Sequence, residues 1–219
     1  MHLNFAGIVD SIPYILKGLG ITLQVVTMAG ILGFIIGTLL ALCKIGRVKV
    51  LSWIADAYTS IFRGTPLVLQ LTIIYYGFPQ MFDIVLTPVV AAVLAFGFNS
   101  GAYISEVIRA GINAVDKGQK EAAMALGVPY RQMMKDIILP QALKNILPAL
   151  VNEYITLTKE SAVVTIIGLA DIMRRAMVVG ANTFLNVEAL LFAGAIYYVL
   201  VMILTLFGKW LERRLRKSD

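Results

Sequence analysis

The chain is poor in the residues that most soluble chemistry uses. Its 219 residues include one cysteine and one histidine, and Asp, Glu, Lys and Arg together make up 15%. With Cys43 alone, no intrachain disulfide and no cysteine-based metal cluster can form within one chain. The lone histidine, His2, reads as a terminal residue and not as a ligand. No GxxxxGK[ST] phosphate loop, no HExxH pair and no GxSxG elbow occurs, and no polar segment is long enough to house a nucleotide-binding fold. The expectation is therefore a non-enzyme with no cofactor, no metal and no catalytic residue.

What the chain has in quantity is apolar surface. Hydrophobic residues are 59% of it and its mean hydropathy is +0.82, far from the balance of a soluble domain. Windows of roughly 20 mostly apolar residues, long enough for a hydrocarbon core about 30 Å thick, recur along it. They predict an all-α integral membrane protein with five transmembrane helices, near residues 19–42, 54–77, 88–109, 145–168 and 188–210. The N-terminal "MHLNFAGIVDSIPYILKG" has no cationic leader and reads as an interfacial segment.

The formal charge of +6 sits beside the apolar spans, where anchoring and topology explain it better than nucleic acid does. Lys44, Arg47 and Lys49 follow the first span. Lys117, Lys120, Arg131, Lys135 and Lys144 follow the third, and Lys209, Arg213, Arg214, Arg216 and Lys217 the fifth. The positive-inside bias places the N-terminus outside and the C-terminus in the cytoplasm, as a multi-pass protein of the cytoplasmic membrane in contact with its lipid. Arg174 and Arg175, on an exterior loop, dissent. In the first span Ala29, Gly33, Gly37 and Ala41 recur every fourth residue, a face suited equally to packing within the chain and to a subunit interface.

The longest polar interruption, "EAAMALGVPYRQMMKDIILP" at 121–140, carries the signals of two short helices. Gly127 suits the left-handed end of the first and Pro129 the first turn of the second, with Val128 an exposed apolar residue between them. Ala122, Ala123, Met124, Ala125 and Leu126 form a compact apolar surface. Such a pair is a knob for a partner's groove; the competing reading is a helix lying flat on the lipid interface.

Glu121, Ala122, Ala123, Gly127, Ile137, Leu139 and Pro140 match the EAA pattern (EAA, three residues, G, nine residues, IxLP) without a mismatch. The chain thus resembles the permease subunits of ABC importers. "FRGTPLVLQL" at 62–71, "NSGAYISEVIRAGINAVDKGQKEAA" at 99–123 and "LPALVNEYITLTKESAVV" at 147–164 are similar to segments of the polar amino-acid uptake family. The resemblance implies a type I importer fold and a single transmembrane permease domain over 1–219, with a cytoplasmic coupling loop at about 116–141. It implies as partners an ATP-binding cassette ATPase dimer, a second permease subunit, identical or not, and an extracytoplasmic substrate-binding protein. In that family Glu121, Ala122, Ala123 and Gly127 would couple to the ATPase.

Ionisable groups at membrane depth are candidate site residues. Arg63 precedes Gly64, Thr65 and Pro66, which break the second span and free backbone groups; a simple kink with Arg63 paired to an acid is the bland alternative. Glu153, Thr156 and Glu160 share one helical face, taken to look inward, while Lys159 points about 100° away and Pro148 bends the helix. Asn99, Ser100 and Gly101 interrupt the third span, and Glu106 and Arg109 suit a local ion pair. For an amino-acid zwitterion, Arg63 and the backbone near Thr65 suit the carboxylate and Glu160 the ammonium. Glu153, aided by Asn99 and Ser100, would meet the side chain and favour a cationic one. The competing classes are an ion-coupled secondary transporter or channel using Glu153 and Glu160, and a membrane scaffold without a translocation path.

Overall fold

The computed structural model describes residues 3–46 and 48–216, with the backbone alone at 216; His2, Arg47 and Lys217 lie outside the described residues. Among these residues the chain is all-helical, with no strand. A 3-10 helix at Phe5–Ser11 leads into α1 (Ile12–Leu16) and the long α2 (Gly18–Ile45). Next come α3 (Lys49–Gly64), α4 (Leu67–Thr72), a π-helical stretch Ile73–Gly77, α5 (Phe78–Phe82) and α6 (Pro88–Asn113). The second half holds α7 (Lys117–Ala125), α8 (Tyr130–Gln132), a π-helical stretch Met133–Ile138 and α9 (Leu139–Glu160). It closes with a 3-10 helix Ser161–Ile167, α10 (Ile172–Thr183) and α11 (Asn186–Arg216).

Three helical stretches, Phe5–Ile45, Pro88–Asn113 and Asn186–Leu215, are long and apolar enough to cross a membrane. The other two expected spans take a different form. Residues 54–77 are divided between α3 and the α4–π-helical run that ends at Gly77, because Thr65 and Pro66 are extended and Pro66 has no N–H to continue the helix. Residues 145–168 fall on α9, which ends at Glu160, and on the 3-10 helix that stops at Gly168 with φ +78°.

Two helices form the centre. In α6, 61% of the apolar window is buried, against 6% in α11, so α6 is the axis of the bundle and α11 its rim. The Ala29, Gly33, Gly37 and Ala41 face of α2 is buried, and it packs within the chain: a Cβ on Gly33 would lie 2.9 Å from Cβ of Ser100, and one on Gly37 2.6 Å from Cγ2 of Ile104. From the other side a Cβ on Gly101 would come within 2.8 Å of Cγ2 of Ile36. Val25, Val26, Phe96, Leu71 and Leu157 extend this contact into the main core. A second core, with Ile8, Ile15, Ile172 and Ala193, holds the N-terminal segment against α10 and α11.

Two readings of the polar loop need correction. The helix after Pro129 is not short: α8, the π-helical stretch and α9 run on without a break, and the wide turn just before Pro140 accommodates a ring that has no N–H to donate. Val128 is not a bare turn residue either, since it packs on Ala123, Met133 and Ile138.

Gly37→Ala is expected to cost about 1–3 kcal/mol through overpacking against α6. Gly20→Ala, in the same helix with open space around it, should cost nothing and stabilise by up to about 1 kcal/mol through helix propensity. Thermal unfolding of both variants in detergent checks the contrast.

Candidate functional site

Ser100 on α6 and Glu153 on α9 meet where both helices face α2: the Ser100 hydroxyl donates to Oε1 of Glu153 at 3.2 Å. They line a cavity of about 160 Å³ with Gly30, Phe34, Ile104, Leu150, Tyr154 and Leu157. The hydroxyl of Tyr154, one of the lining residues, and Thr27 Oγ1 are 3.0 Å apart. One carboxylate and one hydroxyl in an apolar lining can accept from, and orient, a cationic or hydrogen-bonding group.

The other expected site residues stand elsewhere. Thr65 and Asn99 belong to the seal on the helix break. Gln70 Nε2 donates to the Phe62 carbonyl at 2.9 Å, the Thr65 carbonyl at 3.1 Å and Thr65 Oγ1 at 2.8 Å. Asn99 Nδ2 donates to the same Phe62 carbonyl at 3.0 Å and to Gln70 Oε1 at 3.1 Å. The backbone acceptors freed by Pro66 are thus filled by two side-chain amides. Arg63 is exposed, and its guanidinium lies over the Tyr103 ring, 5.3 Å from the centroid. Glu160 is exposed at the end of α9 beside the exposed Lys159, and Thr156 is half-buried. Neither Arg63 nor Glu160 lines the Glu153 cavity.

Sequence reasoning missed three residues. Gln70 was hidden as one amide in an apolar run; its place four residues after Pro66 is the signal. Lys44, counted only as a topology charge, has a side chain 3% exposed that bridges Asp56 at 3.1 Å and Glu106 at 2.5 Å. Glu106 also pairs with Arg109 at 2.5 Å, as the spacing suggested. Asp171, fully buried, caps α10 by accepting from the Arg174 N–H at 2.8 Å and from the Tyr197 hydroxyl at 3.0 Å. Burial pushes the Asp171 carboxyl up, against the lowering by these hydrogen bonds. Beside it the dissenting Arg175 donates to the Ala170 carbonyl at 2.9 Å and stacks on Tyr14, a local structural use that accounts for one cation on that loop.

The 121–140 segment presents a separate surface. Asp116 caps α7, accepting from the Gly118 N–H at 2.7 Å. The far end closes with Gly127 at φ +71°, its N–H donating to Met124 and the Val128 N–H to Ala123, both at 3.0 Å. Ala123 is the anchor, 3% exposed, while Glu121, Ala122 and Gly127 face outward with Met124 at 54% and Leu126 at 82% exposure. α7 is thus a projecting helix, capped at both ends and anchored by Ala123.

A family model described as binding-protein-dependent transport system inner membrane component matches residues 33–217. The chain belongs to this family. It is 60% identical over 219 residues, the full length of both chains, to the arginine transport system permease protein ArtQ of Bacillus subtilis. It is 38% identical over 218 residues, covering 96% of this chain and 97% of the relative, to the glutamate/aspartate import permease protein GltK of Escherichia coli O157:H7. A solved amino acid ABC transporter with histidines superposes at TM-score 0.94 with 41% identity, over 98% of this permease and 100% of that chain. The inward-facing MetNI methionine transporter, 20% identical with TM-score 0.78 over 94% of this chain and 98% of its own, shares the fold. The permease is therefore an ABC-importer membrane subunit with the type I fold.

Gln70→Leu should destabilise the permease by about 1–3 kcal/mol, the cost of leaving buried acceptors unmet. Faster proteolysis at the 64–66 break in detergent would accompany it; an unchanged digestion rate would contradict the seal.

Proposed function

We propose that this permease imports polar amino acids across the cytoplasmic membrane, with basic ones favoured, at the expense of ATP hydrolysed by a separate ATPase dimer. The whole chain, 1–219, acts as one permease domain. It spans the membrane five times with the N-terminus outside, pairs with a second permease subunit and receives substrate from an extracytoplasmic binding protein. The observation that carries this reading is α7: a capped helix with Glu121 and Ala122 of its EAA motif outward, anchored by Ala123 and followed by a left-handed glycine. The loop at about 116–141 is the one through which closure of the ATPase would reach the membrane helices.

Preference for a basic side chain is supported by Glu153, a carboxylate in an apolar cavity that meets a hydroxyl and no cation within ion-pair distance among the described residues. A cationic substrate group would relieve the cost of holding it there. The name of the arginine-transport relative from Bacillus subtilis points the same way.

In proteoliposomes carrying the complex, Glu121→Lys and Gly127→Pro should abolish substrate-stimulated ATP hydrolysis while leaving the permease folded, since proline cannot adopt φ +71°. Wild-type stimulation in both variants would sink the coupling role. Glu153→Gln should lower arginine and lysine uptake about tenfold or more, a missing charge-assisted contact, and spare glutamine uptake. Equal uptake of all three by variant and wild type would refute the role of Glu153, and uptake indifferent to loss of the ATPase would favour an ion-coupled mechanism.

A further inference from the structure

Lys44 lies in the last turn of α2, where a lysine at a membrane edge ordinarily extends its ammonium to water. Here it turns inward, with its side chain 3% exposed. Its three N–H bonds have three acceptors: Thr59 Oγ1 at 2.7 Å, Asp56 Oδ1 at 3.1 Å and Glu106 Oε1 at 2.5 Å. Two of those acceptors come from α3 and the third from α6. Fixing the orientation of the protein in the membrane needs a cation near the surface and does not need this geometry.

The elements it joins give the contact a purpose. Three residues past Asn113, the C-terminal residue of α6, Asp116 caps α7, so any displacement of the coupling loop reaches the Glu106 end of α6 first. The other end of α3 runs into the break that carries Arg63 and Thr65. Between the two ends, Tyr58 on α3 donates to the Phe98 carbonyl of α6 at 2.9 Å, and Asn99 donates to the Phe62 carbonyl at 3.0 Å. α3 is thus bound by hydrogen bonds to the Phe98–Asn99 turn of α6, and Lys44, held by Asp56 and Thr59 on either side of Tyr58, joins the same stretch of α3 to Glu106, two turns further along α6.

We propose that Lys44 is a positioning residue that clamps α3 to α6 through Asp56, Thr59 and Glu106, so that the helix break moves with the coupling loop as one body. The proposal rests on the importer reading and assigns Lys44 a part in it. Without the clamp α6 can move with the loop while α3 lags, and ATP is hydrolysed without translocation.

The test uses the complete complex in proteoliposomes, with radiolabelled arginine as probe, and compares wild type with Lys44→Met. The Lys44→Met/Glu106→Gln double variant also removes the clamp but leaves fewer unpaired buried charges, which guards against misfolding. The expected result is continued ATP hydrolysis with arginine transported per ATP reduced at least about fivefold. A second readout needs neither ATP nor substrate: spin labels on exposed α3 and α6 positions, Val50→Cys and Ala110→Cys in a Cys43→Ser background, should show a broader distance distribution without the clamp. A merely structural or topological lysine would lower the amount of complex and leave the ratio unchanged, and that outcome overturns the proposal, as does an unaltered label distance. If the wild-type complex shows no ATP-dependent arginine uptake, the importer reading falls and the coupling role with it, while the label distance still decides whether the clamp exists.

Discussion

Gly33, Gly37 and Gly101 let the backbones of α2 and α6 approach within the reach of a single methyl group, and the rest of the bundle is arranged around that contact. Inside a bilayer, lipid tails are as apolar as leucine, so helices gain little from hiding hydrophobic surface from one another. What favours association is close packing, and small residues make it close. The 61% burial of the α6 window follows from this: an axis helix can be surrounded only if its neighbours come near. The same closeness places Ser100, at the contact itself, beside the α9 helix that carries Glu153.

The small-residue stripe was legible because a four-residue repeat of Ala and Gly has one structural meaning, close approach. Its partner was not legible, since the sequence of α2 says nothing about which helix fills the groove. The break at Gly64–Pro66 was likewise readable from proline's missing N–H, whereas the groups that fill the freed acceptors come from Gln70, in the same apolar run, and Asn99, on another helix. Asn99 and Thr65 drew attention as polar residues at depth, and the structure uses both at the break. A polar side chain inside a membrane must be satisfied by something, and the sequence does not reveal whether that is a ligand or the chain's own backbone.

The loop at 121–140 shows the same division between local and long-range information. Its glycine end is a local event, determined by residues a turn apart, and it was predictable; the Asp116 cap on the first helix is equally local but was not read from the sequence. The continuation of the second helix through Pro140 was not, because proline in a helix is tolerated when a neighbouring π-helical turn absorbs the missing bond. Val128 packs inward for a similar reason: Met133 and Ile138 come round beneath it only once that helix is formed.

The acidic residues at depth can be sorted by their partners. Glu106 accepts from Lys44 with one oxygen and Arg109 with the other, so both sides of its carboxylate are engaged by cations. Such a group is a structural element that ties neighbouring helices together, and with the side chains of Glu106 21% and Arg109 46% exposed, solvent screens part of the attraction. Glu153 has a hydroxyl partner and an adjoining cavity. A chain under selection for stability alone gains nothing by holding a carboxylate there, since an apolar residue of similar volume would pack as well at no desolvation cost. The two glutamates therefore differ in what engages them: cations hold both oxygens of Glu106, whereas Glu153 meets one hydroxyl beside a cavity.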